Sequence, residues 1–369
     1  MSKSNKPQFN SGKLNKWLLL ISGLILFAAL VTKDYNKYTL NNVLNYYGFS
    51  SAEQKYALKT LFEKASDNKL NKSWNAFFFE KTTKEDIARR ILQMLIIGKS
   101  KFSLRDIPKE RWEREPLEWM KKDKELILKN LTILGFVDAK NPWRKHSDAV
   151  CILGASKKNI ENRMKYATAL IKSGLSTSNI IFLTGERYLT PNIDGTEEEL
   201  SNMAKFFNLK DWRELTETNL IQKLYLESDL QKLGITTTII YTPKKHLARP
   251  TTQTTILELI TWLKENDTIK NIVFVSNQPY IKYQSVIIDA ILREQKLSIN
   301  YDVVGDSARD KDNLKNIIEG LGSYIWAVSP LIFSNMNIEI KDAELKKSLI
   351  ELYYNNPIIY QSMPKNLRN

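Results

Sequence analysis

The chain has few of the residues from which common metal centres and nucleophilic active sites are built. Its 369 residues include one cysteine, Cys151, and two histidines, His146 and His246. One cysteine excludes an intrachain disulfide and a multi-cysteine metal site. Two isolated histidines argue against a histidine-rich metal centre and against a Ser-His-Asp triad. Since Cys151 lies inside the apolar run AVCILG, we expect a buried and unreactive thiol.

Glycine-rich nucleotide fingerprints are missing as well. Neither GxGxxG nor GxxxxGK(S/T) occurs in the part of the chain that alternates apolar runs with helical segments. The sequence therefore indicates neither a dinucleotide site of the usual kind nor a P-loop. No carboxylate spacing demands a metal ion, so we predict no metal site, and the sequence identifies no cofactor.

Lysine and arginine outnumber the acidic residues, 55 to 41, and the formal net charge is +14. The lysines are nevertheless scattered, and the densest charged runs, such as KERWEREPLEWMKKDKE, interleave acids with bases. Such a pattern is typical of a solvated, lysine-rich surface with a mild attraction to anionic lipid headgroups. We therefore do not expect nucleic acid to be a partner.

An apolar segment near the N-terminus has the pattern of a membrane anchor. Residues 17–31, WLLLISGLILFAALV, carry no charge, and four lysines but no acidic residue precede them. The segment is slightly shorter than the ~20 residues of a comfortable membrane span, and no clean A-x-A cleavage site follows it. We interpret residues 1–36 as a cytoplasmic tail and an uncleaved signal anchor, which places the bulk of the chain across the membrane.

The rest of the chain divides into a helical part, an α/β part and a C-terminal extension over residues 331–369. Residues 37–147 place apolar side chains at three- and four-residue spacing, as in KEDIARRILQMLIIG, and predict helices. Residues 148–330 alternate apolar runs such as DAVCILG and NIIFLTG with amphipathic segments. This order predicts a Rossmann-like α/β fold with a mainly parallel, doubly wound sheet. Within it, TETNLIQKLYLESDLQKLG is predicted as one long helix, and GTEEELSNMAKFF as an inserted helix that could act as a lid.

Small and polar residues follow the predicted strands. In an open parallel sheet, ligands bind outside the carboxyl ends of the strands, so these loops are the candidate site. The candidate ligand-binding residues are Gly154, Ser156, Arg163, Thr184, Gly185, Glu186, Arg187, Arg249, Thr251, Thr252, Ser276, Asn277 and Gln278. Each loop alone is compatible with simple capping and turn chemistry, but the group together predicts a shared cleft.

The charges of these loops indicate what such a cleft would hold. Arg187, Arg249 and the neighbouring helix N-termini favour an anionic ligand that carries a phosphate or a carboxylate. Glu186, Glu217 and Asp306 are the candidate catalytic residues. They could hold a sugar hydroxyl, act as acid or base, or pair with the arginines structurally, and the sequence leaves these three roles open.

At these residues the sequence resembles the SanA/YdcF/ElyC-like family of envelope-associated α/β proteins. The shared stretches are LGA at residues 153–155, a helix that carries Arg163, LTGER at 183–187, TET at 216–218, ARPTTQTT at 248–255 and SNQPYIKYQ at 276–284. The resemblance covers about residues 148–322. It implies a Rossmann-like fold, a polar cleft at the strand ends, and a role in envelope integrity at or beyond the inner membrane of a bacterium. Together with the predicted anchor, it favours a single-pass protein of the bacterial inner membrane whose C-terminal domain is periplasmic.

The loop after the fourth strand departs from the pattern of that family. Many members carry a histidine and an arginine there, whereas this chain has Pro279 and Lys282 at the corresponding positions. A mechanism that relies on that imidazole is therefore not expected here. The helical part also lies outside the resemblance.

Three functional hypotheses follow. The first is a membrane-anchored protein that binds or processes a small anionic metabolite of the cell envelope, and whether it is an enzyme stays open. The second is a non-catalytic scaffold that supports envelope integrity, which the missing histidine favours. The third and weakest is a transferase with a nucleotide-type cofactor, since no glycine-rich fingerprint supports it.

Overall fold

The structure is a computed structural model that describes residues 43–66, 84–102, 117–245, 249–308 and 314–335, together with residues 343 and 347. Residues 17–31, on which the anchor prediction depends, lie outside these ranges, as does most of residues 331–369. Within the described ranges, none of the helices combines the length and the hydropathy that a bilayer crossing requires.

The described parts of the first third of the chain are helical, as their apolar spacing predicts. The helices are α1 (Val43–Tyr46), α2 (Ala52–Ala65), α3 (Lys84–Ile97), α4 (Glu118–Lys122) and α5 (Lys124–Ile133), and a π-helical turn over Gly98–Phe102 follows α3. Helix α2 begins after a capping box, in which Ser51 Oγ accepts from the backbone N–H of Gln54 and the Gln54 side chain accepts from the N–H of Ser51. This exchange satisfies two backbone donors that the first turn leaves without intrahelical partners.

The alternation of strands and helices predicted for residues 148–330 is confirmed. The elements in chain order are β1 (His146–Leu153), α6 (Lys157–Lys172), β2 (Ser176–Gly185), α7 (Glu197–Phe206), α8 (Glu217–Leu226), β3 (Thr236–Thr242), α9 (Thr252–Glu265), β4 (Asn271–Asn277), α10 (Ile281–Glu294), β5 (Asn300–Asp306) and α11 (Leu314–Asn335). The inserted helix, α7, is present.

One helix is shorter than predicted. The segment TETNLIQKLYLESDLQKLG leaves the α-helix at Leu226 and ends in a 3-10 turn over Gln231–Leu233. Ser228 explains the break, because its hydroxyl donates to the carbonyl of Tyr225 at 2.7 Å and offers the backbone a local alternative to the helix. Gly234 then ends the turn in the left-handed conformation, at φ +66°.

The five strands form one parallel sheet in the order β3-β2-β1-β4-β5. The chain moves outward from β1 through β2 to β3, and it then returns to the other side of β1 to form β4. The direction of winding therefore reverses between β1 and β4. In a doubly wound sheet this reversal opens a crevice at the carboxyl ends of the two strands.

Both faces of the sheet are buried, which explains the nearly continuous apolar runs of its strands. Side chains alternate along β1, so that Val150 and Ile152 join the core under α6, α7 and α8. Ala149, Cys151 and Leu153 join the core under α9 and α10. The expectation of a buried thiol at Cys151 is confirmed, and burial raises its pKa well above the ordinary value.

A third core holds the helical part of the chain. Leu58, Ile91 and Leu131, from α2, α3 and α5, share this core with Leu321 and Ile325 of α11. The outer face of α10 also packs on it through partly buried apolar side chains. The last helix and the first helices therefore stabilise each other although almost the whole α/β part separates them in the chain.

Candidate functional site

The predicted site residues at the carboxyl ends of β1, β2 and β4 do come together, and Arg163 joins two of these ends. Its side chain, 2% exposed, extends from α6 to the crevice between β1 and β4. Arg163 Nε donates to Asn277 Oδ1 at 2.8 Å, and Nη1 donates to the carbonyls of Leu153 at 2.7 Å and Gly154 at 2.8 Å. Arg163 thus holds the two strand ends in register at the point where the winding reverses.

Arg187 forms the centre of an ion cluster beside this crevice. Its Nη1 and Nη2 donate to the two carboxylate oxygens of Asp194 at 2.7 Å and 3.0 Å, a bidentate pair. Its Nε donates to Glu217 Oε2 at 3.1 Å, and Nη2 also donates to the carbonyl of Ala155 at 3.0 Å. Burial lowers the pKa of Arg187, but the bond to Asp194 and the charge of Glu217 raise it by more. The guanidinium is therefore a permanent cation shared by two carboxylates.

Asp194 is a member of this cluster that sequence reasoning missed. Its carboxylate is fully buried and also accepts from the backbone N–H groups of Thr190 at 2.9 Å and Lys157 at 3.2 Å. Lys157 is the first residue of α6, so Asp194 satisfies a donor that Ser156, the residue at the N-cap position, leaves without a side-chain cap bond. The available signal was an acidic residue in the polar turn PNIDG, seven residues after Arg187.

Glu217, the second acidic partner of Arg187, is the first residue of α8. Its side chain is buried, and its Oε1 faces the Cα of Gly154 so closely that an added Cβ would lie 1.7 Å from it. Only glycine at position 154 leaves room for this carboxylate. Burial raises the pKa of Glu217, and the nearby charge of Arg187 offsets that rise only in part, because Arg187 is shared with Asp194. A carboxyl of this kind can hold a proton closer to neutral pH than an exposed glutamate can.

Residues at the carboxyl end of β2 and at the start of α9 pack beside the cluster. The buried hydroxyl of Thr184 is hydrogen-bonded to that of Thr218 at 2.8 Å, in the first turn of α8. A Cβ added to Gly185 would lie 3.0 Å from Pro250, so the segment that carries Arg249, Thr251 and Thr252 packs directly on the end of β2.

Thr251 is the N-cap of α9 and forms a capping box with Thr254, in which each side chain accepts from the backbone N–H of the other residue. Its hydroxyl therefore has a structural partner. Thr252 is the first residue of the helix.

Glu186 lies on the β3 side of the site rather than in the cluster. Its Oε2 accepts from the backbone N–H of Lys244 at 2.9 Å, and its own N–H donates to the carbonyl of Thr242 at 2.8 Å. The Lys244 ammonium lies 4.8 Å from the centroid of the exposed Tyr188 ring. These contacts make Glu186 a link between the ends of β2 and β3.

Ser276, Gln278 and Asp306 lie at the carboxyl ends of β4 and β5. Ser276 Oγ donates to Gln284 Oε1 in α10, and the N–H of Gln278 donates to the carbonyl of Asp306 at 3.1 Å. Gln278 Nε2 donates to the carbonyls of Gly135 at 3.2 Å and Asp138 at 2.8 Å.

The segment that leads into β1 covers this side of the sheet edge. The backbones of Lys140 and Gly305 exchange hydrogen bonds at 2.9 Å and 3.0 Å, so the segment pairs with the end of β5. The strand ends of β4 and β5 are thereby tied to the helical part of the chain.

The structure thus joins Gly154, Arg163, Arg187, Glu217 and Asn277 at the crevice and places the other candidates on its flanks. Within the residues that the structure describes, no group of three acidic, histidine or cysteine side chains is placed to hold a metal ion. Neither a family model, nor a characterised protein, nor a solved structure matches this chain.

Proposed function

We propose that the protein binds and processes a small anionic metabolite, one that carries a phosphate or carboxylate, in the crevice between β1 and β4. The proposal depends on one observation above all: a buried glutamate, Glu217, lies against Gly154 at the point where the sheet reverses its winding. Ligands of doubly wound sheets bind at this point. A buried carboxyl with a raised pKa at such a point is suited to act as acid or base.

Arg187 has a positioning role in this proposal. Its bond to Glu217 Oε2 leaves the other carboxylate oxygen directed at Gly154. Because the Arg187 N–H groups already donate to Asp194 and Glu217, we assign the attraction of the anion to basic residues of the rim. Lys244, at the end of β3, and Arg249, in the segment that packs on β2, are the two candidates.

The cellular setting of the proposal is the bacterial envelope, with the protein anchored in the inner membrane by residues 17–31 and its α/β part in the periplasm. This placement is supported by the apolar segment behind a lysine-rich tail and by the family resemblance.

A thermal-shift panel tests the binding. Inorganic phosphate, pyrophosphate, sugar phosphates and dicarboxylates are added to the wild type, to Arg249→Ala and to Arg213→Ala. Arg213 is the matched control because it is an exposed arginine whose partner is Asp211, on the 3-10 turn before α8. We expect at least one anion to raise the melting temperature of the wild type and of Arg213→Ala, and to do so less in Arg249→Ala. Equal shifts in all three proteins, or no shift across the panel, would contradict the proposal.

A non-catalytic scaffold is the second candidate. The hydrogen bonds of Arg163 and Arg187 favour this candidate. The acceptors described above are carbonyl, amide and carboxylate oxygens of the protein itself. In-cell complementation separates the two candidates. A scaffold predicts that Glu217→Gln, folded and expressed at the wild-type level, restores function fully, whereas an acid or base role predicts that it does not.

A further inference from the structure

The most unusual charged group outside this site is the amine of Lys282, at the start of α10. Three aromatic rings surround it. Its Nζ lies 5.2 Å from the ring centroid of Phe49 and 5.8 Å from those of Phe136 and Tyr324. The rings come from the loop after α1, the loop after α5 and helix α11, so the amine lies where the helical core meets the α/β part.

No acidic partner accompanies this amine in the described part of the chain. The half-buried side chain forms no ion pair there, and the charge that acts on it is the like charge of Lys140. Burial lowers the pKa of Lys282, and Lys140 lowers it further. Attraction to the aromatic faces favours the protonated form. Phe49 is the closest ring, at 5.2 Å, and the other two lie near the outer limit of about 6 Å at which that attraction operates.

The backbone makes room for the amine at one position. A Cβ added to Gly135 would lie 3.1 Å from Lys282 Cε and 3.6 Å from Nζ, and Gly135 has a φ of +77°. Both the space and the conformation therefore favour glycine. The carbonyl of the same residue accepts from Gln278 Nε2, while Gln278 Oε1 is buried without a hydrogen-bond partner in the described residues. Among the described residues, an amine without an acidic partner and an acceptor without a hydrogen bond thus lie beside Gly135.

We propose that Lys282 is a nucleophilic amine that forms an imine with the carbonyl group of a small, largely apolar aldehyde or ketone. Desolvation and a neighbouring cation are the two environments that make a lysine nucleophilic at neutral pH, and Lys282 has both. The aromatic rings favour an apolar body on the ligand, and Gln278 Oε1 supplies an acceptor for a hydroxyl.

The reaction needs no oxidant or reductant. The lone pair of the neutral amine attacks the carbonyl carbon, the carbonyl π electrons move to oxygen, and one proton passes from nitrogen to oxygen to give a carbinolamine. The hydroxyl then takes a proton from solvent, and the nitrogen lone pair forms the C=N bond as that hydroxyl leaves as water. The protonated imine returns one proton to solvent. One imine and one water form from one amine and one carbonyl.

Reductive trapping tests the proposal on the full-length protein. The wild type is incubated with benzaldehyde and cyanoborohydride at about pH 7, and labelled lysines are quantified by peptide mass spectrometry. Lys232 serves as the reference because its side chain is 72% exposed. We expect Lys282 to be labelled faster than Lys232, because burial and the charge of Lys140 lower its pKa and so raise the neutral fraction of its amine.

Two variants distinguish reactivity from access. Lys140→Met, a change at an exposed position, removes the like charge and should slow labelling of Lys282 without changing that of Lys232. Lys282→Met should lose the fast label altogether. The proposal is overturned if Lys282 in the wild type is labelled no faster than Lys232, or if Lys140→Met labels Lys282 as fast as the wild type does.

Discussion

Asp194 should be the side chain of the ion cluster whose loss destabilises the fold most. Each of its oxygens accepts one guanidinium N–H and one backbone N–H: Oδ1 from Arg187 and Lys157, and Oδ2 from Arg187 and Thr190. In Asp194→Asn, whichever oxygen becomes the NH₂ group faces two donors. The variant therefore loses the charge and two hydrogen bonds, and it places like groups in contact inside a fully buried site.

The expected magnitude follows from these contacts. Removing one partner of a buried ion pair costs about 3–5 kcal/mol, because the remaining charge stays buried without compensation. Glu217 still pairs with Arg187 in the variant and limits the loss, so we expect a value near the lower end of that range. A loss of about 3 kcal/mol is a large part of the roughly 5–15 kcal/mol that stabilises a typical domain.

Urea denaturation followed by circular dichroism measures this loss. Glu199→Gln is the matched control, because Glu199 also contacts Lys157, through a 3.2 Å ion pair, but its side chain is 53% exposed. Glutamine preserves its role in the capping box of α7, so the control should stay close to the wild type in stability. If Asp194→Asn were no less stable than Glu199→Gln, with unchanged denaturant dependence, the assignment of Asp194 as a structural ligand of Arg187 would be wrong.

Three further predictions concern Gly154, Glu294 and Cys151. Gly154→Ala forces its Cβ against Glu217 and a backbone carbonyl, so it should lower the free energy of unfolding by about 1–3 kcal/mol. Urea denaturation measures this loss, and an unchanged free energy of unfolding would refute the contact. Burial raises the pKa of Glu294 from 4.5 to about 7, so the folded protein should lose stability as pH rises through that interval. Denaturation midpoints at about pH 5 and pH 8 should therefore converge in Glu294→Gln, and an unchanged difference would contradict the assignment. Cys151 should react with a thiol reagent only at the rate of unfolding, and fast labelling of the native protein would show that it is not buried.

The sequence indicated the fold class and the place of the site through local periodicity. Strand runs such as DAVCILG are apolar throughout because both faces of a parallel sheet are covered, and the intervening helices bury one stripe each. Since parallel strands end at one edge, Gly154, Arg187 and Asn277 were expected at one rim, and they are. The anchor over residues 17–31 and the anionic ligand stay predictions.

Sequence by itself determined which segments become strands and helices, because that information lies in spacing along a few turns of chain. Tertiary structure alone decided which charges meet. Arg187 was expected to face a ligand, yet it pairs with Asp194 and Glu217, and Lys282 is enclosed by rings from three distant segments. Ion pairing and desolvation depend on distances of a few ångströms between residues far apart in the chain, and only the packed fold sets those distances.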